Sequence, residues 1–170
     1  RPGGVMCQWI HNSSLDASHV LSIVRSFGEV FPNMTMWNTK GGDFLLIGSE
    51  SPLVLPIQEL RRRMARPGVR PWLERMHYDT EEEFLATLLS HDSMLRQRSA
   101  KARLHTDDNM LLEFDAPKTL FGDHQPFRAT SNAIFEYVLD RSALQPEEAA
   151  LLRFKLDRAT AAREHQRAAL

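Results

Sequence analysis

Short apolar runs alternate with one helical stripe over the first fifty residues. The apolar runs occupy residues 5–10, 34–37 and 44–48, and continuous runs of this length are typical of buried strands. Between the first two runs, apolar side chains recur at helical spacing until Pro32 ends the series. This stripe comprises Leu15, Val20, Ile23, Val24, Phe27, Val30 and Phe31, and its candidate N-caps are Ser13, Ser14 and Asp16. The pattern predicts strand, helix, strand, a tight turn over residues 38–42, and strand.

After Pro52 the strand signals stop and the pattern becomes helical. Pro56 opens one predicted helix, residues 80–83 form a capping box for another, and residues 145–148 begin a final helix that runs to the end of the chain. The helical stripes are Ile57, Leu60 and Met64; Val69, Trp72, Leu73 and Met76; Phe84, Leu85, Leu88 and Leu89; and Ile134, Phe135, Val138 and Leu139. Residues 104–128 hold two prolines and no long periodic run, so we predict an ordered loop there.

The predicted sheet has a free edge. Residues 5–10 have no preceding strand in this chain to pair with, and a parallel neighbour requires a crossover from another strand. Either a small antiparallel sheet suffices, or the rest of the sheet is absent. In the second case we expect another copy of the chain, a non-native helix or a swapped strand to cover the edge. A homo-oligomer formed through this edge is one of these expectations.

Composition narrows the class of protein. Of the 170 residues, 42% are hydrophobic and 25% are charged, with a net charge of −1, which is typical of a soluble globular domain. The near-neutral charge argues against a nucleic-acid partner, and no apolar run approaches the roughly 18–20 residues that cross a bilayer. Cys7 is the single cysteine, which excludes an internal disulfide and a zinc site built from several thiolates. Because Cys7 lies in a predicted buried strand, we expect an inert thiol.

Six segments carry a resemblance to a known family. The sequence resembles the C-terminal third of a spermidine synthase-like polyamine aminopropyltransferase, of the large bacterial type that is often fused to a membrane region. The resemblance covers about residues 1–120. The segments are Pro-Gly-Gly-Val-Met-Cys-Gln-Trp at 2–9, Phe-Gly-Glu-Val-Phe-Pro at 27–32, Thr-Met-Trp-Asn at 35–38, Gly-Asp-Phe-Leu-Leu-Ile-Gly-Ser at 42–49, Thr-Asp-Asp-Asn at 106–109 and Leu-Glu-Phe-Asp-Ala-Pro at 112–117.

The resemblance implies the C-terminal part of a methyltransferase-like Rossmann sheet. It makes residues 5–10 the fifth strand and residues 18–31 the following helix, and it places residues 43–48 antiparallel between 5–10 and 34–38. The predicted fold class is therefore α/β, a strand-helix-β-hairpin followed by a mostly helical region. The predicted domains are 1–52 for these strands, 53–128 for a helical and ordered-loop extension, and 129–170 for a helical tail.

The same resemblance implies transfer of an aminopropyl group from decarboxylated S-adenosylmethionine to a diamine such as putrescine. The family's glycine-rich cofactor turn, ribose-binding acid and base would all precede residue 1, and this chain has no Gly-x-Gly-x-x-Gly sequence. We therefore expect no catalytic residue, no cofactor site and no metal ligand here, and no activity from this chain alone. The implied location is the cytoplasmic side of a parent protein anchored in the inner membrane by an upstream region.

Five residues are candidates for binding the polyamine. Gln8, at the predicted end of the first strand, matches a glutamine of the family's acceptor pocket, although a strand-end side chain that meets the helix N-terminus is an alternative. Trp37 and Asn38 stand at the predicted hairpin turn, where a tryptophan can instead serve packing. Asp107 and Asp108 can hold ammonium groups, but this Thr-Asp-Asp-Asn sequence also favours an Asx-type turn.

Several other polar residues have structural explanations at this stage. We expect His11 to be a loop histidine, because no acidic partner is identifiable, and Asp43 to be a turn residue. Glu113 is a further candidate ligand, for which Arg103 would be a structural partner. A run of three arginines, Arg61, Arg62 and Arg63, is predicted to be a solvated helix end rather than a phosphate site.

The chain also has an alternative function of another class, a non-catalytic helical module for protein–protein interaction. The 129–170 region carries small residues at intervals, as does the first arm of a helical repeat stack. These residues are Ala149, Ala150, Ala159, Ala161 and Ala162. A single arm cannot bury its own apolar face, so this hypothesis requires a partner.

Overall fold

The computed structural model describes residues 3–12, 15–39, 42–54, 56–121, 127 and 144–168. Spatial contacts divide the chain into two units, each made of two segments. The first unit comprises Arg1–Leu53 and Leu89–Thr130, and the second comprises Val54–Leu88 and Ser131–Leu170. The described helices are α1 (Ala17–Val30), α2 (Ile57–Met64), α3 (Arg70–Arg75), α4 (Glu81–Leu85), α5 (Asp92–Ser99), α6 (Leu111–Asp115) and α7 (Pro146–Ala168), and a 3-10 helix spans Ala116–Phe121.

A four-stranded sheet forms the first unit, so the chain is α/β as predicted. The strands are β1 (Val5–Ile10), β2 (Asn33–Asn38), β3 (Phe44–Ser49) and β4 (Leu88–His91). They lie in the order β1-β3-β2-β4, and β3 is antiparallel to both β1 and β2. This confirms the predicted position of the third apolar run between the other two. Because β1 and β2 share an antiparallel neighbour, they run parallel and end at the same edge of the sheet.

One face of the sheet is covered by α1. Asp16 caps this helix, accepting a hydrogen bond from the backbone N–H of Ala17 and forming a capping box with His19, as one of the predicted caps. Val20 and Val24 of α1 are fully buried because they lie on the stripe that faces the sheet. The core cluster consists of Ile10, Val20, Val24, Met34, Met36, Phe44, Leu46, Leu95 and Phe127.

The strand β1 is exposed, so the prediction of a buried strand was wrong. Val5 is 59% and Trp9 54% exposed, and the Cys7 thiol is exposed as well. These three side chains alternate with Ile10, which is buried in the core, and therefore lie on the face opposite α1. The sequence of β1 is apolar enough for burial on both faces, but no described element covers its outer edge or this face. Cys7 is consequently not the buried thiol that we expected.

The strand β4 was missed. Its first two residues, Leu88 and Leu89, were predicted to continue a helical stripe, but α4 ends at Leu85. Two hydrogen bonds, from Ala86 N–H to Glu82 O and from the Thr87 hydroxyl to Phe84 O, close the last turn of α4. The prediction of a loop over 104–128 also needs correction, because α6 and the 3-10 helix occupy part of it. Both elements are short, five or six residues, and so lack detectable periodicity.

The second unit is helical where it is described. Helix α2 begins after Pro56, α4 begins with the capping box of Thr80 and Glu83, and α7 begins at Pro146, which confirms three predicted helix starts. Helix α4 packs against α7. Their buried apolar side chains are Leu85, Leu152 and Leu156. The predicted stripe over residues 134–139 lies outside the described residues.

Candidate functional site

Three strand ends meet at one edge of the sheet. The register places Ile10, Phe44 and Asn38 in one row across β1, β3 and β2. Phe44 is buried and packs edge-on against Phe127, with ring centroids 5.6 Å apart. In open α/β sheets, ligands bind outside the carboxyl ends of strands. The C-terminal ends of β1 and β2 therefore make this edge, which we call the strand-end edge, the candidate site.

Asp43 ties the loop after β1 to the start of β3. Its Oδ1 accepts a hydrogen bond from the backbone N–H of Asn12 at 2.9 Å and lies 3.9 Å from Nδ1 of His11. The backbone N–H of Thr39 donates to the Asp43 carbonyl at 2.8 Å. His11 thus has a nearby acidic group after all. Asp43 is distant from it in sequence and becomes its neighbour only through the pairing of β1 with β3.

Two buried amide oxygens at this edge accept no hydrogen bond from any described residue. They are Oδ1 of Asn12 and Oδ1 of Asn38. A buried acceptor left without a donor costs about 1–3 kcal/mol, and native proteins leave few of them, often where a ligand, water or ion completes the site. Asn38 was predicted as a binding residue, whereas Asn12 was not, because its sequence position gave no sign that its amide would be buried.

Trp37 and Asn38 do not converge on one ligand. They are consecutive residues of β2, so their side chains project from opposite faces of the sheet. The Trp37 indole N–H donates to Oγ1 of Thr35 at 2.8 Å. The register places Trp37 beside Leu45, which in turn pairs with Trp9. The two indoles therefore flank Leu45 on the face away from α1.

Gln8 lies inside β1 rather than at its end, so its predicted strand-end position was wrong. Its register partner is Leu46, two residues before the row of Ile10, or about 7 Å along the strand. The exposed side chain donates from Nε2 to the carbonyl of Trp9 at 2.8 Å. A role in binding the acceptor remains a prediction.

Asp107 and Asp108 lie in an exposed turn held by its neighbours. Oδ1 of Asn109 accepts from Thr106 N–H and Leu111 N–H at 3.2 and 3.1 Å, and Nδ2 donates to Leu104 O at 2.7 Å. This geometry matches the Asx-type turn considered as the alternative.

This turn attaches to α1 well away from the strand-end edge. The backbone N–H of His105 donates to Oγ of Ser26 at 2.8 Å, and Ser26 lies about 15 Å along α1 from its cap at Asp16. Among the described residues, no hydrogen bond, ion pair or ring contact joins Asp107 or Asp108 to the strand-end edge. The nearby carboxylate of Glu113 lies 3.9 Å from Nε2 of His105.

Two further polar clusters have structural roles. Arg62 and Arg63 pair with Glu59 on α2, and Arg61 pairs with Glu81 at 2.6 Å. The predicted solvated arginine run is thus made of paired side chains. Hydrogen bonds from Arg63 and Arg62 hold the pKa of Glu59 below its usual value. Because each of the three arginines is paired with a carboxylate, this cluster does not support phosphate binding.

A histidine, an aspartate and a serine also lie together at the end of β4. Nδ1 of His91 is 3.2 Å from Oδ1 of Asp92 and 3.1 Å from Oγ of Ser93. Both contacts use the same ring nitrogen, whereas a nucleophile–base–acid relay uses the two different nitrogens. This geometry is therefore not that of a catalytic triad. Within the described ranges, no group of three or more His, Cys, Asp or Glu side chains is arranged to hold a metal ion.

No protein-family model, no curated protein and no solved structure matches this chain. Of the helices in the described part of the chain, none combines the length and apolarity that a membrane span requires.

Proposed function

We propose that this chain is the C-terminal part of a spermidine synthase-like aminopropyltransferase and forms one wall of its amine-acceptor site. The order β1-β3-β2, with β3 antiparallel to both neighbours, carries this proposal. It is the arrangement that the family resemblance required of the last strands of a methyltransferase-like Rossmann sheet. In such a protein the exposed edge of β1 would pair with the remaining strands.

The proposed reaction is a substitution at carbon. The lone pair of the acceptor amine forms a new C–N bond to the methylene beside the sulfonium of decarboxylated S-adenosylmethionine. The C–S bond breaks, methylthioadenosine leaves with that electron pair, and the amine loses a proton to a carboxylate. Because the sulfonium is already a good leaving group, positioning and desolvation of the amine are the protein's main tasks. This chain would supply positioning only.

The strand-end edge is rich in hydrogen-bond acceptors, which supports a cationic amine as its partner. The Oδ1 atoms of Asn12 and Asn38 lack a described donor, and the carboxylate of Asp43 accepts from the backbone N–H of Asn12 at the same edge. Gln8 would extend the acceptor wall along β1. Trp37 projects from the opposite face of the sheet to Asn38 and stays a candidate for a separate contact. Asp107 and Asp108 stay candidates for a separate ammonium contact, at a distance from this edge.

The proposal is tested by activity, binding and sequence together. The 170-residue chain should show no aminopropyl transfer to putrescine and no tight binding of methylthioadenosine by calorimetry. A reading frame extending upstream of residue 1 should encode a glycine-rich turn after a strand. In that longer protein, Gln8→Ala should weaken putrescine binding by about 1–2 kcal/mol and leave methylthioadenosine binding unchanged. Turnover by the 170-residue chain, or an equal loss for both ligands, would contradict this assignment.

The second candidate function is a helical interaction module in the second unit. Helix α7 buries Leu152 and Leu156 but exposes Leu151 and Phe154, which are 56% and 59% exposed. An apolar pair on the opposite side of a packed helix supports a protein partner. Replacing both exposed residues by glutamine should abolish any such complex in a pull-down and leave the helix content unchanged. An unaltered complex would exclude this surface.

A further inference from the structure

We infer that Asn12 is a specificity-determining residue of the strand-end edge, and that it acts with Asn38 to select amines that carry N–H donors. This inference deepens the proposed function and rests on it. The family resemblance did not single out Asn12, and only the folded chain brings it to Asp43 at the strand-end edge.

The position of the two amides follows from the sheet. Asn38 is in the row of Ile10 and Phe44, and Asn12 follows Ile10 by two residues. Asn38 pairs with Phe44, whose side chain lies in the core with Val20 and Val24 of α1, so Asn38 lies on the α1 side of the sheet. Asn12 lies just beyond the end of β1, where its backbone N–H donates to Asp43, the residue before Phe44. Both residues therefore lie at the strand-end edge.

The edge holds two amide oxygens that lack a donor among the described residues. Both amide oxygens are buried, and neither accepts a hydrogen bond from the described residues. Asp43 adds a carboxylate whose described partners are the Asn12 backbone N–H and His11. No described Lys or Arg forms an ion pair with Asp43. Carbonyl oxygens without donors in a buried place favour a ligand that brings N–H groups of its own.

This chemistry distinguishes two kinds of cation. A primary ammonium carries three donors, and each can satisfy an amide or carboxylate oxygen. A quaternary ammonium has the same charge but no donor, so it would bury both amide oxygens and leave them unpaired. A site that recognised charge alone, or the faces of Trp9 and Trp37, would not separate the two cations.

The test measures binding of butane-1,4-diamine and of its fully N-methylated bis-quaternary analogue to the 170-residue chain by calorimetry. We expect the diamine to bind about tenfold more tightly, which corresponds to one hydrogen bond to a charged group. In Asn12→Leu this preference should fall to about twofold or less, and Asn38→Leu should act in the same direction. Butane-1,4-diol, which has no charge, should bind more weakly than the diamine to all variants.

Asn33→Leu is the matched control. Nδ2 of Asn33 donates to the carbonyls of Ser49 and Glu50 at 3.4 and 3.0 Å, at the opposite end of β2. This variant should lower the urea midpoint and keep the diamine preference. Asn12→Leu should keep the urea midpoint and lose the diamine preference. Its amide oxygen has no described donor to lose, and its backbone N–H can still donate to Asp43.

Three results separate the two proposals. A diamine preference that survives in Asn12→Leu overturns this inference and leaves the proposed function standing. Failure of the unmodified chain to bind either cation contradicts the inference and the acceptor wall together. A preference that depends on Asn12, combined with an upstream sequence without a glycine-rich turn, supports the inference and contradicts the aminopropyltransferase assignment alone.

Discussion

The two ends of β2 carry the same residue in opposite circumstances. Asn33 at the start of the strand donates to two backbone carbonyls, whereas Oδ1 of Asn38 at its end is buried without a described donor. The first asparagine uses its polar group within the fold. The second keeps a buried acceptor available at the edge where α/β sheets bind ligands. Residue type alone therefore does not identify a binding residue. The hydrogen bonds that its side chain already makes within the fold must be known as well.

The largest expected loss of stability comes from truncating Phe44, the buried aromatic residue of the strand-end edge. Phe44 is 2% exposed and lies in the row between Ile10 and Asn38. Phe44→Ala should destabilise the first unit by about 3–5 kcal/mol, since it leaves a cavity beside Phe127. Urea unfolding followed by tryptophan fluorescence measures this change. A loss below about 1 kcal/mol would mean that the edge is not built on a packed core.

The opposite end of the sheet should be sensitive to added volume. A Cβ at Gly48 would overlap the ring of Phe27 and crowd Phe31, because these rings fill the space that glycine leaves. Gly48→Ala should therefore destabilise the protein by about 1–3 kcal/mol without altering amine binding. At Gly42 nothing lies near the Cβ position, so Gly42→Ala would be strained only through the backbone, whose φ is +88°. An unchanged unfolding midpoint for Gly48→Ala would contradict this packing.

The second unit contains a buried carboxylate, Glu82, that accepts a hydrogen bond, in contrast to the amide oxygen of Asn38. Glu82 is 5% exposed and accepts a hydrogen bond from Nζ of Lys155 at 2.7 Å. Lys155→Met should destabilise the packing of α4 on α7 by about 1–2 kcal/mol, because it leaves the carboxylate without this donor. The double variant with Glu82→Gln should recover part of the loss in urea unfolding. An unchanged urea midpoint for Lys155→Met would mean that the Glu82–Lys155 pair does not stabilise the packing of α4 on α7.

This pair also predicts a pH dependence. Burial is the largest single influence on the pKa of Glu82 and would raise it. The hydrogen bonds from Lys155, from a backbone N–H and from Thr80, together with the charge of Lys155, outweigh burial and lower the pKa below its usual value. A carboxyl with a lowered pKa in the folded state stabilises fully above its unfolded pKa, and the contribution is lost as the pH falls through the folded value. Unfolding midpoints measured from pH 7 down to about pH 3 should fall less for Glu82→Gln than for the unmodified chain. Parallel curves would contradict this linkage.

The smallest effect on stability is expected at the outer edge of β1, which pairs with no other described strand, and association should change there instead. This strand carries no charge and no proline, which are the usual protections of an exposed edge. We propose that a second copy covers it when the 170-residue chain is isolated. Cys7→Lys should shift sedimentation toward monomer and change the unfolding free energy by less than about 0.5 kcal/mol. A clean monomer for the unmodified chain would contradict self-association through this edge.

Local signals were sufficient for much of the fold. The stripe from Val20 to Val30, the cap at Asp16 and the capping box at Thr80 depend on neighbours within a few residues, and each was predicted. The sheet order followed from the family resemblance. By contrast, β4 is four residues long, too short for its alternation to stand out from the preceding helical stripe.

The candidate site was less predictable because it depends on contacts between distant residues. Asn38 was found through its turn position, but the burial of Asn12 and its bond to Asp43 exist only after β1 pairs with β3. Cys7 was misplaced for a related reason. An apolar strand sequence shows that two faces can be buried, and it does not show whether another element is there to cover them.

Side-chain amide NMR tests the central claim most directly. Titrating the 170-residue chain with butane-1,4-diamine should shift the side-chain amide signals of Asn12 and Asn38 along one common binding curve. The signal of Asn33, which is already bonded within the fold, should stay in place. Common shifts of the first two and a constant third are the predicted result. Unmoved signals from Asn12 and Asn38, or an equal shift of Asn33, would contradict the assignment of the strand-end edge as an amine site.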